Sequence, residues 1–539
     1  MNRDAAAAIK AGDVFLGIEL GSTRIKAVLT DEASKTLTQG SYVWENRLVG
    51  GYWTYDEAEI WKGLRSAYAD LRRNTEEKYG ITIRRVAALG ISGMMHGYLV
   101  FDEDGKLLVP FRTWRNNTTG EAAKRLTRAF SFNIPERWSV AHIDQDLLSD
   151  EPHVGAIDYM TTLSGYIHWR LSGEKALGID DASGMFPIDP SDGTYHSGMM
   201  SIFSALPEAR KLRKPLANLL PHVCAAGEEA GRLTKEGASL LDESGTLEAG
   251  CMMCPAEGDA GTGMIATNSV RRRTGNISVG TSIFSMNVLE RPLKNVYRDI
   301  DIVMTPDGSA TAMVHSNNCT SDINAWVAIF REFAEALGSS LSADQLYRIL
   351  FEQSTYADDD AGGLINYSFL SGENLTRTQH GRPLFVRTPR SKFTLANFMR
   401  AHLYAAFAPI RIGFDILTHD EGLVIDGMIA HGGLFRTPMI AQQALADLLN
   451  LPITVMETAS EGGAWGMAVL ARFAAHGKGL CLPDFLESDV FAAKNALTLT
   501  PRAAGVRGAQ SFFDRYREAL PVEQTASDVL RLYKTQKEC

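Results

Sequence analysis

Cysteine is scarce, with six in 539 residues. Cys224, Cys319, Cys481 and Cys539 stand apart from any partner, which argues against a disulfide framework and for reduced thiols. Cys251 and Cys254 form a CxxC, but Met252 and Met253 fill it and no second pair or neighbouring His completes a zinc site, so the spacing reads as packing. Long apolar runs are also missing. No stretch of about 18 uninterrupted apolar residues occurs, and residues 1–13 (MNRDAAAAIKAGD) hold no segment of signal-peptide length, so the expectation is a cytoplasmic protein without a membrane span. Nor is there an excess of positive charge: the formal net charge is −10. The one tight cationic cluster, Arg271-Arg272-Arg273, is short and reads as a solvated lead-in to a strand. A general nucleic-acid binder, which needs clustered cations for phosphate contacts, is thereby excluded.

What is abundant is glycine, 48 residues, within a chain that is 45% hydrophobic. That is the composition of an ordered globular protein with many tight turns or close backbone approaches. The length exceeds what one core supports and predicts two domains of roughly 200 to 270 residues with a cleft between them.

Phe15 to Asp31 (FLGIELGSTRIKAVLTD) reads as strand, glycine turn, strand, with the turn at Gly21-Ser22-Thr23. The same pattern returns from Thr274 to Glu290 (TGNISVGTSIFSMNVLE), with the turn at Gly280-Thr281-Ser282 and Ile277 in the place of Ile18. Two such hairpins at the start of two halves predict a duplicated fold. Glycine in each turn lets backbone N–H groups approach an anion, and the following hydroxyls add donors without charge, so each turn is a candidate phosphate contact. Between the repeats, Trp53 to Gly80 has apolar residues at helical spacing and ends in glycine. Val86 to Ser92 and Tyr98 to Asp102 read as strands flanking Gly93-Met94-Met95-His96-Gly97. Further helices are predicted at Ile157 to Leu171, Ser321 to Leu337, Ser342 to Gln353, Leu395 to Leu417 and Pro438 to Leu449. Alternation of strand and helix indicates an α/β fold.

Read in order, Gly17-Ile18-Glu19-Leu20-Gly21-Ser22-Thr23, Met95-His96-Gly97, Asp180-Asp181-Ala182-Ser183-Gly184 and Gly258-Asp259-Ala260-Gly261-Thr262-Gly263 are the motifs of the first half. Gly280-Thr281-Ser282, Ser371-Gly372-Glu373, His431-Gly432-Gly433 and Glu461-Gly462-Gly463-Ala464-Trp465-Gly466 follow in the second. Over about residues 14 to 475 the sequence resembles the FGGY carbohydrate kinases, and within them the xylulokinase-like branch. The resemblance implies two duplicated ribonuclease H-like domains of actin and hexokinase type around a central cleft. It divides the chain into an extension (1–13), an N-terminal domain (14–267), a C-terminal nucleotide-binding domain (268–475) and a helical tail (476–539). Three departures stand out. Glu19 replaces the usual Asp, Ser139-Val140-Ala141-His142-Ile143 replaces a lysine-containing segment, and His431 opens the adenosine loop.

Phosphoryl transfer to an alcohol needs a base, a divalent metal and donors that hold the transferred group in line. The resemblance places the base at Asp259, which without it reads as an ordinary acid in a glycine-rich turn. ATP and Mg²⁺ are the implied donor and ion, with Glu19 and Asp259 as metal-side carboxylates. Gly21, Ser22, Thr23, Gly280, Thr281 and Ser282 are the candidate phosphate contacts, and Gly432 and Gly433 the adenosine contacts. Met95, His96 and Gly97, with Trp114, Arg115 and Asp259, are the candidate sugar contacts. Asp180 and Asp181 either cap a turn or touch ligand. The expected acceptor is a small sugar, a ketopentose or related ketose or polyol. A sugar-independent ATPase of the same superfold and a silent sugar-binding regulator are the alternatives. The tail, with Phe512-Phe513 and a helical stretch through Tyr533, either covers the core or mediates a homodimer.

Overall fold

The computed structural model describes residues 2–456, 462–477 and 479–530. Glu461, Tyr533 and Cys539 lie outside the described residues. The chain forms two compact units, one from Met1–Arg271, Asp301–Thr311 and Glu461–Lys494, the other from Arg272–Ile300, Ala312–Ser460 and Asn495–Cys539. Asp301–Thr311 and Glu461–Lys494 group with the first unit although they follow the start of the second in the chain.

Unit 1 begins with α1 (Asn2–Ala11), β1 (Phe15–Leu20), β2 (Arg24–Thr30), β3 (Thr36–Val43), α2 (Glu57–Tyr79) and β4 (Ala88–Gly93). It continues through α3 (Ser139–Leu148), α4 (Leu163–Ser172), α5 (Ile179–Ser183), β5 (Met252–Met253), β6 (Glu257–Gly258) and α6 (Asp259–Ala266). The sheet order is β5-β4-β1-β2-β3, with β6 also on β4. β1 pairs antiparallel with β2 and parallel with β4, so Glu19 stands opposite Lys26 on one side and Ser92 on the other. A strand covered on both faces explains the near-continuous apolar run of β1.

Two helix starts differ from the sequence reading for the same reason. Tyr52–Thr54 pairs with Arg47–Val49, so α2 begins only at Glu57, where the Asp56 side chain caps it. Tyr159–Thr161 likewise pairs with Leu99–Phe101, and α4 begins after the Thr162 cap instead of at Ile157. Aromatic and β-branched residues satisfy either periodicity, and the neighbouring strand decides.

Unit 2 is built from β7 (Gly275–Val279), β8 (Ile283–Val288), α7 (Ser321–Ala336), α8 (Ala343–Ser354), α9 (Leu395–Asp415), β9 (Met428–Gly432), α10 (Ile440–Leu449) and β10 (Ile453–Met456). The chain then returns to unit 1 as α11 (Gly462–His476) and ends in unit 2 with β11 (Ala496–Leu499) and α12 (Ala503–Glu518), followed by a short helix, Leu520–Val529. β8, β7, β9, β10 and β11 lie side by side in that order. As in unit 1, an antiparallel hairpin lays its first strand parallel to a later strand, here β7 to β9. Phe512 and Phe513 of α12 are buried, and Tyr516 accepts a backbone hydrogen bond from the Tyr367 hydroxyl at 2.6 Å, so this part of the tail covers the unit 2 core.

The return of α11 has a steric basis. A Cβ on Gly17 of β1 would overlap the Ala464 carbonyl and the Ala468 nitrogen, and one on Gly466 would overlap the Thr262 carbonyl of α6. Gly17 lets α11 close on β1 and Gly466 lets it close on α6, which ties residues 462–476 to unit 1. Among the described residues no helix is long and apolar enough to cross a membrane.

Candidate active site

Five carboxylates gather around the C-terminal ends of β1 and β6. Asp180, Asp181 and Glu257 are fully buried, whereas Glu19 and Asp259 each keep part of their surface open. This difference separates acids that can meet a ligand from acids that cannot. Asp259 opens α6, and its Oδ1 accepts the Met95 N–H at 3.2 Å. Burial first, and the charge of Glu19 second, push its carboxyl up to about 6. Burial also raises Glu19, against the opposing pull of Lys26 and of the Ala464 N–H. A Cβ on Gly463 would lie 2.5 Å from Glu19 Oε1, so the end of the longer acid occupies space that a side chain at 463 would take.

The Met95-His96-Gly97 loop leaves β4 with two residues in the left-handed region, His96 at φ 67° and Gly97 at φ 102°. Gly97 is required there: besides its φ, a Cβ would stand 2.8 Å from the Phe111 ring and 2.9 Å from the Arg112 carbonyl. His96 is buried, and its Nδ1 lies 3.3 Å from the Gly184 carbonyl. A carbonyl partner requires the proton on Nδ1, leaving Nε2 as an acceptor. Burial first and Arg137 second hold the ring well below its ordinary pKa, so it is neutral.

The segment that departs from the family's lysine pattern braces this loop. Ser139 Oγ donates to the Gly97 carbonyl at 2.6 Å, Gly97 N–H donates to the Arg137 carbonyl, and Trp138 stacks on His96. His142 stacks on Tyr98, and burial lowers its pKa to about 3. Behind the loop, Arg112 Nη1 meets Asp146 Oδ1 at 2.7 Å while His153 Nε2 lies 3.1 Å from Asp146 Oδ2. The guanidinium sits over the Tyr52 and Tyr98 rings. Sequence reasoning missed Trp138, Arg112, Asp146 and His153, since no spacing links residues so far apart in the chain.

The first hairpin turn is framed by aromatic residues. Trp44 Nε1 donates to the Gly21 carbonyl at 2.7 Å, the Tyr55 hydroxyl to the Ser22 carbonyl at 2.5 Å, and Trp114 Nε1 to Ser22 Oγ at 3.2 Å. Trp114 is 40% exposed and so reaches the turn from its open side. Arg115 is exposed and lies over the Trp53 ring.

In unit 2 a cavity of about 700 Å³ is lined by Gly280 and Thr281 of the hairpin turn, by Tyr347 and Arg348 of α8, and by Gly433 and Arg436 after β9. Gly432 has φ 124°, and a Cβ there would overlap the Val279 carbonyl; Gly433 has open space around its Cα. The second hairpin turn and the glycine loop, predicted separately, thus meet in one cavity. Replacing Gly432 by Ala is expected to cost about 1–3 kcal/mol of backbone strain and to raise the KM for nucleotide more than that for sugar. Parallel titrations of both substrates check it, and an unchanged nucleotide KM would refute it.

Residues 14–139 match the N-terminal domain of the FGGY family of carbohydrate kinases, and residues 275–475 match its C-terminal domain. The chain belongs to the FGGY family of carbohydrate kinases. It is 21% identical to a xylulose kinase of Haemophilus influenzae over 93% of this chain and 98% of that one. Among solved structures, a xylulose kinase from Rhodospirillum rubrum superposes with a TM-score of 0.75 at 18% identity, covering 94% of this chain and 99% of the other. A gluconate kinase from Lactobacillus acidophilus does so with a TM-score of 0.76 at 17% identity, covering 96% and 99%. This FGGY kinase is therefore an α/β phosphotransferase with the duplicated fold of its family.

The carboxylates of this FGGY kinase suit a hard divalent ion. Glu19 lies close enough to Asp259 for its charge to raise that acid, and a cation beside them would relieve the repulsion. Among the described residues no group of three or more His, Cys, Asp or Glu is arranged to hold a metal. Mg²⁺ retains several waters and takes one or two carboxylates, so the donor set fits it.

Proposed function

We propose that this FGGY kinase transfers the γ-phosphoryl group of ATP to a hydroxyl of a small sugar, with Asp259 as general base. The acceptor is a ketopentose of the xylulose or ribulose type, or a related ketose or polyol. The observation that carries the reading is the placement of Asp259, half-open and held by the Met95 N–H, beside a loop that presents neutral His96. The naming of the relatives as xylulose kinases supports the sugar class.

In this reading the sugar lies against Met95, His96 and Gly97, with Trp114 and Arg115 at the open side. A sugar hydroxyl donates to His96 Nε2 and another to Asp259. The Asp259 carboxylate takes the proton of the acceptor hydroxyl as the new O–P bond forms, while the bond from the γ-phosphorus to the β–γ bridging oxygen breaks and ADP leaves. Backbone N–H groups and hydroxyls of Gly21-Ser22-Thr23 and Gly280-Thr281-Ser282 bind phosphate oxygens, and the Gly432-Gly433 side of the unit 2 cavity takes the adenosine. Glu19, directly or through water, and Asp259 would hold Mg²⁺, which when bound neutralises phosphate charge.

The test is ADP release from purified protein with MgATP and a panel of ketoses, polyols and gluconate. Release that depends on a sugar is expected. Equal release with and without sugar would point to an ATPase, and no release with any acceptor would point to a sugar-binding regulator.

A further inference from the structure

The consecutive acids Asp180 and Asp181 lie on α5, whose five residues are buried throughout. Neither carboxylate has any exposed surface, so neither reaches a ligand. Asp180 Oδ2 instead accepts two backbone hydrogen bonds, from Gly258 N–H at 2.9 Å and Gly261 N–H at 3.2 Å. These amides bracket Asp259 in the chain. The contact explains Gly261, where a Cβ would overlap the carboxylate outright; at Gly258 a Cβ would overlap Met95 Cγ and also stand 2.9 Å from Asp180 Oδ2.

The grip is reciprocal. Glu257, next to Gly258, accepts the Asp180 N–H through Oε2 at 3.2 Å, and its carboxylate fills the space a side chain at Gly178 would need. Asp181 is fixed in turn by the hydroxyls of Thr162 and Ser164 at the start of α4. At the other end of α5, the Gly184 carbonyl faces His96 Nδ1, and a Cβ on Gly184 would lie 2.6 Å from that nitrogen. Ser183 Oγ donates to the Asp180 carbonyl at 2.5 Å and accepts the Met304 N–H at 2.9 Å, which holds the short helix from outside. One rigid element therefore touches both the turn that carries Asp259 and the ring that faces the acceptor.

We propose that Asp180 is a positioning residue for phosphoryl transfer, acting through the Gly258 and Gly261 amides to hold Asp259, and that α5 sets the separation of Asp259 from His96. The proposal rests on the reading of Asp259 as the base. Its mechanism is geometric: without the two hydrogen bonds the first turn of α6 relaxes, and the base leaves hydrogen-bond reach of the acceptor hydroxyl. A misplacement of about 1 Å costs on the order of 10²-fold in rate.

The experiment compares Asp180→Ala, Asp180→Asn and Asp259→Ala with the unaltered chain, on whichever sugar of the panel the latter phosphorylates, measuring kcat, both KM values and Tm. Asp180→Ala is expected to lower kcat by about 10- to 100-fold with the KM for ATP within about twofold. Asp180→Asn, which keeps one carbonyl oxygen for the two N–H donors, is expected to recover most of that loss. A structural role alone would move Tm and expression but not split kcat from KM. Wild-type kcat in Asp180→Ala, or no recovery in Asp180→Asn despite a native Tm, overturns the proposal. Should Asp180→Ala not fold, Asp180→Glu takes its place: it preserves the carboxyl group but displaces the oxygens, and an unchanged kcat in it overturns the proposal equally. An active Asp259→Ala would instead overturn the assignment of the base, so the two failures are distinguishable.

Discussion

Asp259→Ala is expected to lower kcat by about 10² to 10⁴, the range for removal of a general base. The carboxylate contributes little that another residue can replace. Its Oδ1 accepts the Met95 N–H, and the other acids nearby are either fully enclosed or, for Glu19, set on β1. Steady-state kinetics with the sugar identified by the panel checks it, and turnover within threefold of wild type would sink the assignment.

Asp146→Ala is expected to destabilise unit 1 by about 3–5 kcal/mol, because it strands a charged guanidinium between aromatic rings. Arg112 and Asp146 are both almost wholly buried. For Asp146, burial on its own would raise the pKa, but His153 and Arg112 outweigh it and hold the group below the ordinary carboxylate value. Its contribution to stability is then fully present above the ordinary Asp value of about 3.9 and is lost as pH falls through the lower folded value. Denaturant unfolding at neutral pH measures the loss, and a change below 1 kcal/mol would show that Arg112 finds other partners. Since Tyr98 and the Arg112 backbone pair with each other directly beside Gly97, the variant is also expected to raise the sugar KM.

Much of this was legible in the sequence because it depends on local spacing. The two Gly-Ser/Thr turns, the strands beside them and the helices from Ser321 to Leu449 follow from periodicity and turn chemistry, and the hairpins do occupy matching places in the two sheets. Legibility ended where function depends on burial. Asp180 stands in Ile179-Asp180-Asp181-Ala182 and Asp259 in Gly258-Asp259-Ala260-Gly261, and nothing in those neighbours says that one is sealed and the other open. The Arg112–Asp146–His153 group was invisible for a related reason, being assembled from a loop, a helix and a turn. The helix starts at Trp53 and Ile157 failed because aromatic strands mimic the first turn of an amphipathic helix. The α8 residues lining the unit 2 cavity, Tyr347 and Arg348, sat within a correctly placed helix whose facing could not be assigned.

The glycine at 463 gives the first strand a neighbour it constrains in sequence space. Because the end of Glu19 lies where a side chain at 463 would begin, the two positions cannot drift independently. A shorter acid at 19 leaves a hole beside α11, and any larger residue at 463 evicts the acid. Recombining the first hairpin of this chain with the counterpart of α11 from a relative is therefore expected to fail unless both positions travel together, although 443 residues lie between them in the chain.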